Sequence, residues 1–120
     1  MKKYLAELII SIKYEDFTLD PKEIKTLLIK NLEYLISRGG LTEEANLVVE
    51  EHEVSVENKV EGKILRSDLK VNIHYEGDSS VEEIKSILKG LADEMAGRGY
   101  FTDHDLVVDD YSISVSAKEK

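Results

Sequence analysis

The sequence predicts an α+β fold, built from duplicated β-α-β units: a two-layer sandwich with a four-stranded antiparallel sheet and two helices on one face. Three observations predict it. First, the 120-residue chain says nearly the same thing twice, with residues 8–56 aligning with 69–115 after two short length adjustments. Second, four segments alternate apolar and polar side chains with the period of a strand. Third, two segments repeat their apolar residues at helical spacing between recognisable start and stop signals. The matched pairs include Leu8/Leu69, Ile12/Ile73, Tyr14/Tyr75, Glu15/Glu76, Glu23/Glu83, Ile24/Ile84, Leu28/Leu88, Arg38/Arg98, Gly39/Gly99, Thr42/Thr102, Val48/Val107 and Val56/Val115. Self-similarity this extended is read before any local propensity. It divides a single domain, residues 1–120, into pseudo-repeats over about 4–57 and 64–116.

The first strand places Leu8, Ile10, Ile12 and Tyr14 on one face and Ile9, Ser11 and Lys13 on the other. Its opening residues resemble a secretory leader for three positions only, because Glu7 interrupts the apolar run and no small-residue cleavage site follows. The first helix starts at Asp20 as N-cap, with Pro21 in the first turn and Glu23 as the returning partner of a capping box. Its apolar stripe is Ile24, Leu27, Leu28, Leu32, Leu35 and Ile36. Arg38 then meets the negative end of the helix dipole, and Gly39 supplies a left-handed stop.

The second strand is expected to turn Val48, Val54 and Val56 inward, against Glu51, Glu53 and Ser55, and residues 57–63 are expected to connect the halves. The third strand repeats the first, with Leu69, Val71, Ile73 and Tyr75 inward and Lys70, Asn72 and His74 outward. The second helix has Ser80 as N-cap and Glu83 as its partner. Ile84, Ile87, Leu88, Leu91 and Met95 form its stripe, and Arg98 with Gly99 its stop. The fourth strand sets Val107, Tyr111, Ile113 and Val115 against Asp110, Ser112 and Ser114. With right-handed crossovers, the order β-α-β-β-α-β gives a ferredoxin-like split βαβ sandwich with the first and third strands central. The acidic pairs Glu50 with Glu51 and Asp109 with Asp110 then fall on edge strands, where charge discourages unwanted strand pairing.

Composition narrows the function classes. A chain of this size buries about 65% of its unfolded surface and folds without metal or cross-links. It has no cysteine, which removes disulfides, thiolate metal sites and cysteine nucleophiles. The net charge is -9 and the isoelectric point about 4.8, so a phosphate backbone is repelled. No apolar stretch reaches membrane-spanning length, and the expected location is cytoplasmic.

The wet sheet face is the natural platform of such a fold. Binding RNA there calls for outward aromatics on the central strands, whereas those positions carry Ser11, Lys13, Asn72 and His74. Direct nucleic-acid contact is therefore not expected. Thr102, Asp103, His104 and Asp105 gather oxygen and imidazole groups that could hold a divalent metal. The matching Thr42, Glu43 and Glu44 lack the histidine and the spacing fits neither an EF-hand nor a His-Glu-x-x-His pattern, so a capped turn is the reading, with no metal. His52 shares parity with Val54 and reads as a rim position facing the helices. His74 reads as a solvated strand residue near Lys70, Asn72 or Lys13. The acylphosphatase loop, a Cys-x-x-Cys pair and iron–sulfur ligands are all missing, so those activities of similar folds do not follow.

The resulting expectation is a small, acidic, non-enzymatic domain that binds protein, either itself as a homodimer or a basic partner, with no cofactor. The expected interaction face is Ser11, Lys13, Lys70, Asn72 and His74, and the expected acidic rim is Glu51, Glu53, Asp109 and Asp110. Two alternatives belong to other classes. One is an acidic inhibitor that mimics nucleic acid on a larger enzyme, of the phage anti-defence type. The other is a metabolite-sensing regulatory domain.

Overall fold

A computed structural model describes residues 2–15, 20–42, 46–102 and 107–120. The elements follow the order β1 (Lys2–Glu15), α1 (Pro21–Ser37), β2 (Leu47–Glu61), β3 (Ile64–Gly77), α2 (Val81–Gly97) and β4 (Val107–Glu119). The strands form one sheet in the order β2-β3-β1-β4, with every neighbouring pair antiparallel. The fold is a ferredoxin-like α+β arrangement measuring 48 × 23 × 19 Å. The strands, at 13 to 15 residues, run well past the usual five or six.

Alternation dictates the core. Tyr4, Ala6, Leu8, Ile10, Ile12 and Tyr14 of β1 are buried, as are Leu65, Ser67, Leu69, Val71, Ile73 and Tyr75 of β3, while the intervening residues are partly or fully exposed. Both helices bury their stripes against this side: Ile24, Leu28, Leu32 and Leu35 from α1, and Ile84, Ile87, Leu88, Leu91, Ala92 and Met95 from α2. Each fully covered aliphatic side chain contributes about 1.5–3 kcal/mol. Leu41 and Phe101, from the segments after α1 and α2, complete the same cluster.

Both helices end in the same way. Gly39 and Gly99 adopt φ of 82° and 69°. Backbone bonds from Gly39 to the Ile36 oxygen and from Gly40 to that of Leu35 make a Schellman closure, which Gly99 to Ala96 and Tyr100 to Met95 repeat. The starts depart from the expected capping boxes. The Asp20 side chain accepts from the amide of Lys22, two residues on. Ser80 accepts from the Glu83 amide, but the Glu83 carboxylate is taken by the hydroxyl of Ser79.

Two expectations about strands need correction. The link between the halves is not residues 57–63, because β2 continues to Glu61 and only Gly62 and Lys63 form the turn, Gly62 having φ of 63°. Val48 and Val107 do not face the core; they are 62% and 70% exposed. A register shift between Val49 and Glu51 leaves Glu50 unpaired in β2, and another leaves Asp109 unpaired in β4. One extra residue inverts the faces of everything before it.

Candidate functional site

Pairing registers turn the uncovered side of the sheet into a defined grid. Reading across β4, β1, β3 and β2, one row holds Ser112, Ser11, Asp68 and Glu57; the next Ser114, Ile9, Lys70 and Ser55; the next Ser116, Glu7, Asn72 and Glu53; and the next Lys118, Leu5, His74 and Glu51. On the other side of the first row lie Asp110, Lys13, Arg66 and Lys59.

Opposite charges meet across strands. Lys70 Nζ lies 3.3 Å from Glu7 Oε2, and Ser11 Oγ donates to Asp68 Oδ1 at 2.7 Å. Lys13 Nζ is 3.1 Å from Asp109 Oδ2 and 3.8 Å from Glu15 Oε1, while Lys3 reaches Glu50 at 3.7 Å. Each unpaired residue of a bulge thus offers its carboxylate to a lysine of β1. Lys120 Nζ rests against His74 Nδ1. Exposed pairs of this kind contribute about 0–1 kcal/mol each, so they order the surface more than they stabilise it. A polar hollow on this face is lined by Ser11, Lys13, Arg66, Asp68, Asp110 and Ser112, together with Ile12 and Tyr111.

All five predicted face residues lie on this open side, yet they do not form one cluster. Lys70, Asn72 and His74 follow one another along β3, and Ser11 lies one row from Lys70. Antiparallel pairing sets Leu5, not Lys13, opposite His74. Lys13 faces Arg66, eight residues from His74, which is roughly 26 Å along the strand. The acidic rim divides likewise: Glu51 and Glu53 border β2 in the rows of His74 and Asn72, while Asp109 and Asp110 lie on the opposite edge beside Lys13. Asp103, His104 and Asp105 lie outside the described residues. Among the described residues no group of three or more His, Asp or Glu side chains could hold a metal ion.

Arg66, Asp68, Glu7 and Glu57 were missed as face residues. The signal was present, because extending the alternation of Lys70, Asn72 and His74 backwards reaches Asp68 and Arg66. His52 pairs with Ile73 on the helical side, and its Nε2 lies 3.5 Å from Glu33 Oε2 of α1.

The buried polar groups all serve the fold. Tyr14 Oη donates to the Phe101 carbonyl at 2.5 Å, and Tyr75 Oη to that of Leu41 at 2.5 Å. Tyr4 Oη donates to the Ser79 carbonyl. Burial raises the pKa of Tyr14 and Tyr75 well above the usual phenol value, so both stay neutral donors. Ser67, fully buried, donates to Asn58 Oδ1, and Asn58 Nδ2 donates to the Pro21 carbonyl, tying the start of α1 to β2 and β3. No buried side-chain polar atom among the described residues lacks a partner.

No protein-family model matches the chain, and no curated protein does. Among solved structures it is similar to a putative aminohydrolase from methicillin resistant Staphylococcus aureus, with TM-score 0.50 and 10% identity over 95% of this chain and 29% of that one. It is also similar to the de novo designed protein Foldit4, with TM-score 0.45 and 17% identity over 98% of each chain. A de novo designed protein with ferredoxin fold matches with TM-score 0.41 and 12% identity over 94% of this chain and 85% of that one. The chain spans less than a third of the aminohydrolase, and the likeness is one of fold. Among the described residues no helix is long and apolar enough to cross a membrane.

Proposed function

We propose that this chain is a small, acidic, non-enzymatic protein-interaction domain that assembles as a homodimer or engages a basic protein, and that its two halves are duplicated β-α-β units. The observation that carries the first part is the uncovered sheet face, a wide surface whose charges and hydroxyls are already ordered by the pairing of four long strands. Leu5 and Ile9 give it apolar points, and the alternating signs around them suit a second surface of matching pattern. The duplication is supported by details beyond sequence alignment. Both halves carry a bulge at the matched residues Glu50 and Asp109, both close their helices with the same Schellman bonds, and both send a strand-end tyrosine to the other half.

A second reading has its own observation. Glu51, Glu53, Glu57 and Glu61 all point to the open side of edge strand β2, and successive residues on one strand face stand roughly 6.6 Å apart. A row of carboxylates on an acidic chain suits a basic channel made for nucleic acid, the inhibitor alternative.

Sedimentation of the pure protein and of the Lys13→Glu, His74→Glu double variant tests the first reading. A face-mediated dimer falls to monomer in the variant; an unchanged sedimentation coefficient counts against that surface. Capture of a basic partner that is released as salt rises favours the second, because screening weakens charge attraction.

A further inference from the structure

The two edges of the sheet are not protected alike. On β2, charge recurs throughout as Glu50, Glu51, Glu53, Glu57, Lys59 and Glu61. On β4, residues 111–117 read Tyr-Ser-Ile-Ser-Val-Ser-Ala, with no charge, no proline and strict alternation. Natural sheets guard exposed edges with charge, proline or a bulge, and β4 has such guards only at its two ends, where Asp109 bulges beside Asp110 and where Lys118 and Glu119 close the strand. Its inward row is also incompletely covered: Tyr111 is 44% exposed, and Ile113 and Val115 line a groove with Glu82, Lys85, Ser86 and Lys89 of α2.

We propose that the β4 edge pairs antiparallel with β4 of a second copy of this chain about an axis through Ser114, joining two four-stranded sheets into one of eight. This rests on the proposed homodimeric role and sets its seam at the β4 edge instead of the open face. Hydrogen-bond direction supports it. The Lys120 amide donates to the Lys3 carbonyl of β1, so the even residues of β4 face β1, and residues 111, 113, 115 and 117 turn their N–H and C=O groups outward. An axis at Ser114 pairs Ile113 with Val115 through those outward groups and sets Tyr111 opposite Ala117, where the Tyr111 amide exchanges its bond to Asp110 Oδ1 for one across the seam. It also keeps each face on its own side of the joined sheet.

Charge fixes the same register. With Ser114 opposite itself, Ser112 meets Ser116, and Asp110 of each copy meets Lys118 of the other at both ends of the uncharged run. Sliding the copies so that Ile113 lies on the axis sets Asp110 opposite Ser116 and loses both ion pairs. Among the described residues, β2 offers no comparable run, its uncharged stretches reaching only three residues, at Leu47, Val48 and Val49 and again at Val54, Ser55 and Val56.

The chain has no native cysteine, so a single introduced one reports cleanly. Ser114 opposite itself is a non-hydrogen-bonded pair with Cα atoms about 4.5 Å apart, within disulfide reach. Ser114→Cys should therefore form a covalent dimer under mild oxidation, and Ser55→Cys, in the same row on the other edge, should not. Ser114→Lys places like charges on the axis and should shift sedimentation from dimer to monomer with an unchanged far-ultraviolet circular dichroism spectrum; Ser55→Lys should remain dimeric. A dimer that survives Ser114→Lys but is broken by the Lys13→Glu, His74→Glu change overturns the edge proposal and leaves the face reading standing. A monomeric parent protein whose Ser114→Cys variant stays uncrosslinked overturns the edge proposal, while capture of a basic partner still tests the broader reading.

Discussion

Tyr14 and Tyr75 occupy matching places in the two halves, and each donates its hydroxyl across to the other half, to Phe101 and Leu41 respectively. These carbonyls belong to the segments that follow the helices, so each phenol holds a helix exit against the end of a central strand. Replacing either tyrosine by phenylalanine keeps the ring's burial and leaves a carbonyl unpaired. The expected loss is about 1–3 kcal/mol for each change, read from the midpoint of urea unfolding. Because the two contacts lie at opposite ends of the sheet, the double variant should lose the sum within about 0.5 kcal/mol. The same groups set a limit at high pH. Burial raises both pKa values above that of an unfolded tyrosine, which is about 10. Above that pH the unfolded chain releases these protons and the folded chain retains them, so stability is intact below about 10 and falls as pH rises further. The fall in stability with pH should be shallower in the double variant, and equal slopes would exclude these two tyrosines as its source.

At the level of the element, the two faces of β1 and β3 were legible over residues 8–14 and 69–75, where every second residue is apolar without a break, whereas the same alternation running on from Tyr4 and from Leu65 went unread. Matching helix stops at Gly39 and Gly99 were legible for the same local reason. Val48 and Val107 were misplaced because a bulge leaves no mark in apolar periodicity: acidic residues at 50 and 51, or 109 and 110, read as edge protection whichever of them is left unpaired. The long β2 was cut short because Lys59 and Glu61 look like a loop when their apolar neighbour Val60 is itself half exposed. For the candidate site, which side of the sheet each residue occupies was legible, but which residues adjoin was not, since adjacency depends on register and Lys13 falls beside Arg66. Glycines separate these effects experimentally. At Gly77, φ is 153° and a Cβ would lie 2.2 Å from the Asn46 carbonyl oxygen, so Gly77→Ala must move the start of β2 and should cost more than the roughly 1 kcal/mol of an ordinary strained position. Gly97, on the exposed side of α2, has open space around it, and Gly97→Ala should raise stability by about 0.5–1 kcal/mol. Thermal unfolding of the two variants should therefore move in opposite directions.

The molecule as a whole is interleaved. β1 and β2 belong to one half and β3 and β4 to the other, yet the sheet order β2-β3-β1-β4 places β3 between the first two and β1 between the last two. Neither half contains a single pair of neighbouring strands. A fragment ending at Gly62 has a helix and two strands with no ladder to join them, and the remainder is in the same position. Isolated strands and single helices of this length are marginal in water, so nearly all the stabilising burial arises only when the halves combine. The turn between them, Gly62 and Lys63, makes that combination local for the β2-β3 hairpin, while the β1-β3 and β1-β4 ladders close over long stretches of chain and should dominate the folding time. Cutting the chain between Gly62 and Lys63 removes the short connection and leaves every ladder intact. Each fragment alone should show no cooperative unfolding transition, and an equimolar mixture should recover the circular dichroism of the intact chain with a stability that now depends on concentration. A half that folds by itself as a stable monomer would mean that its two strands can pair directly, which this strand order forbids.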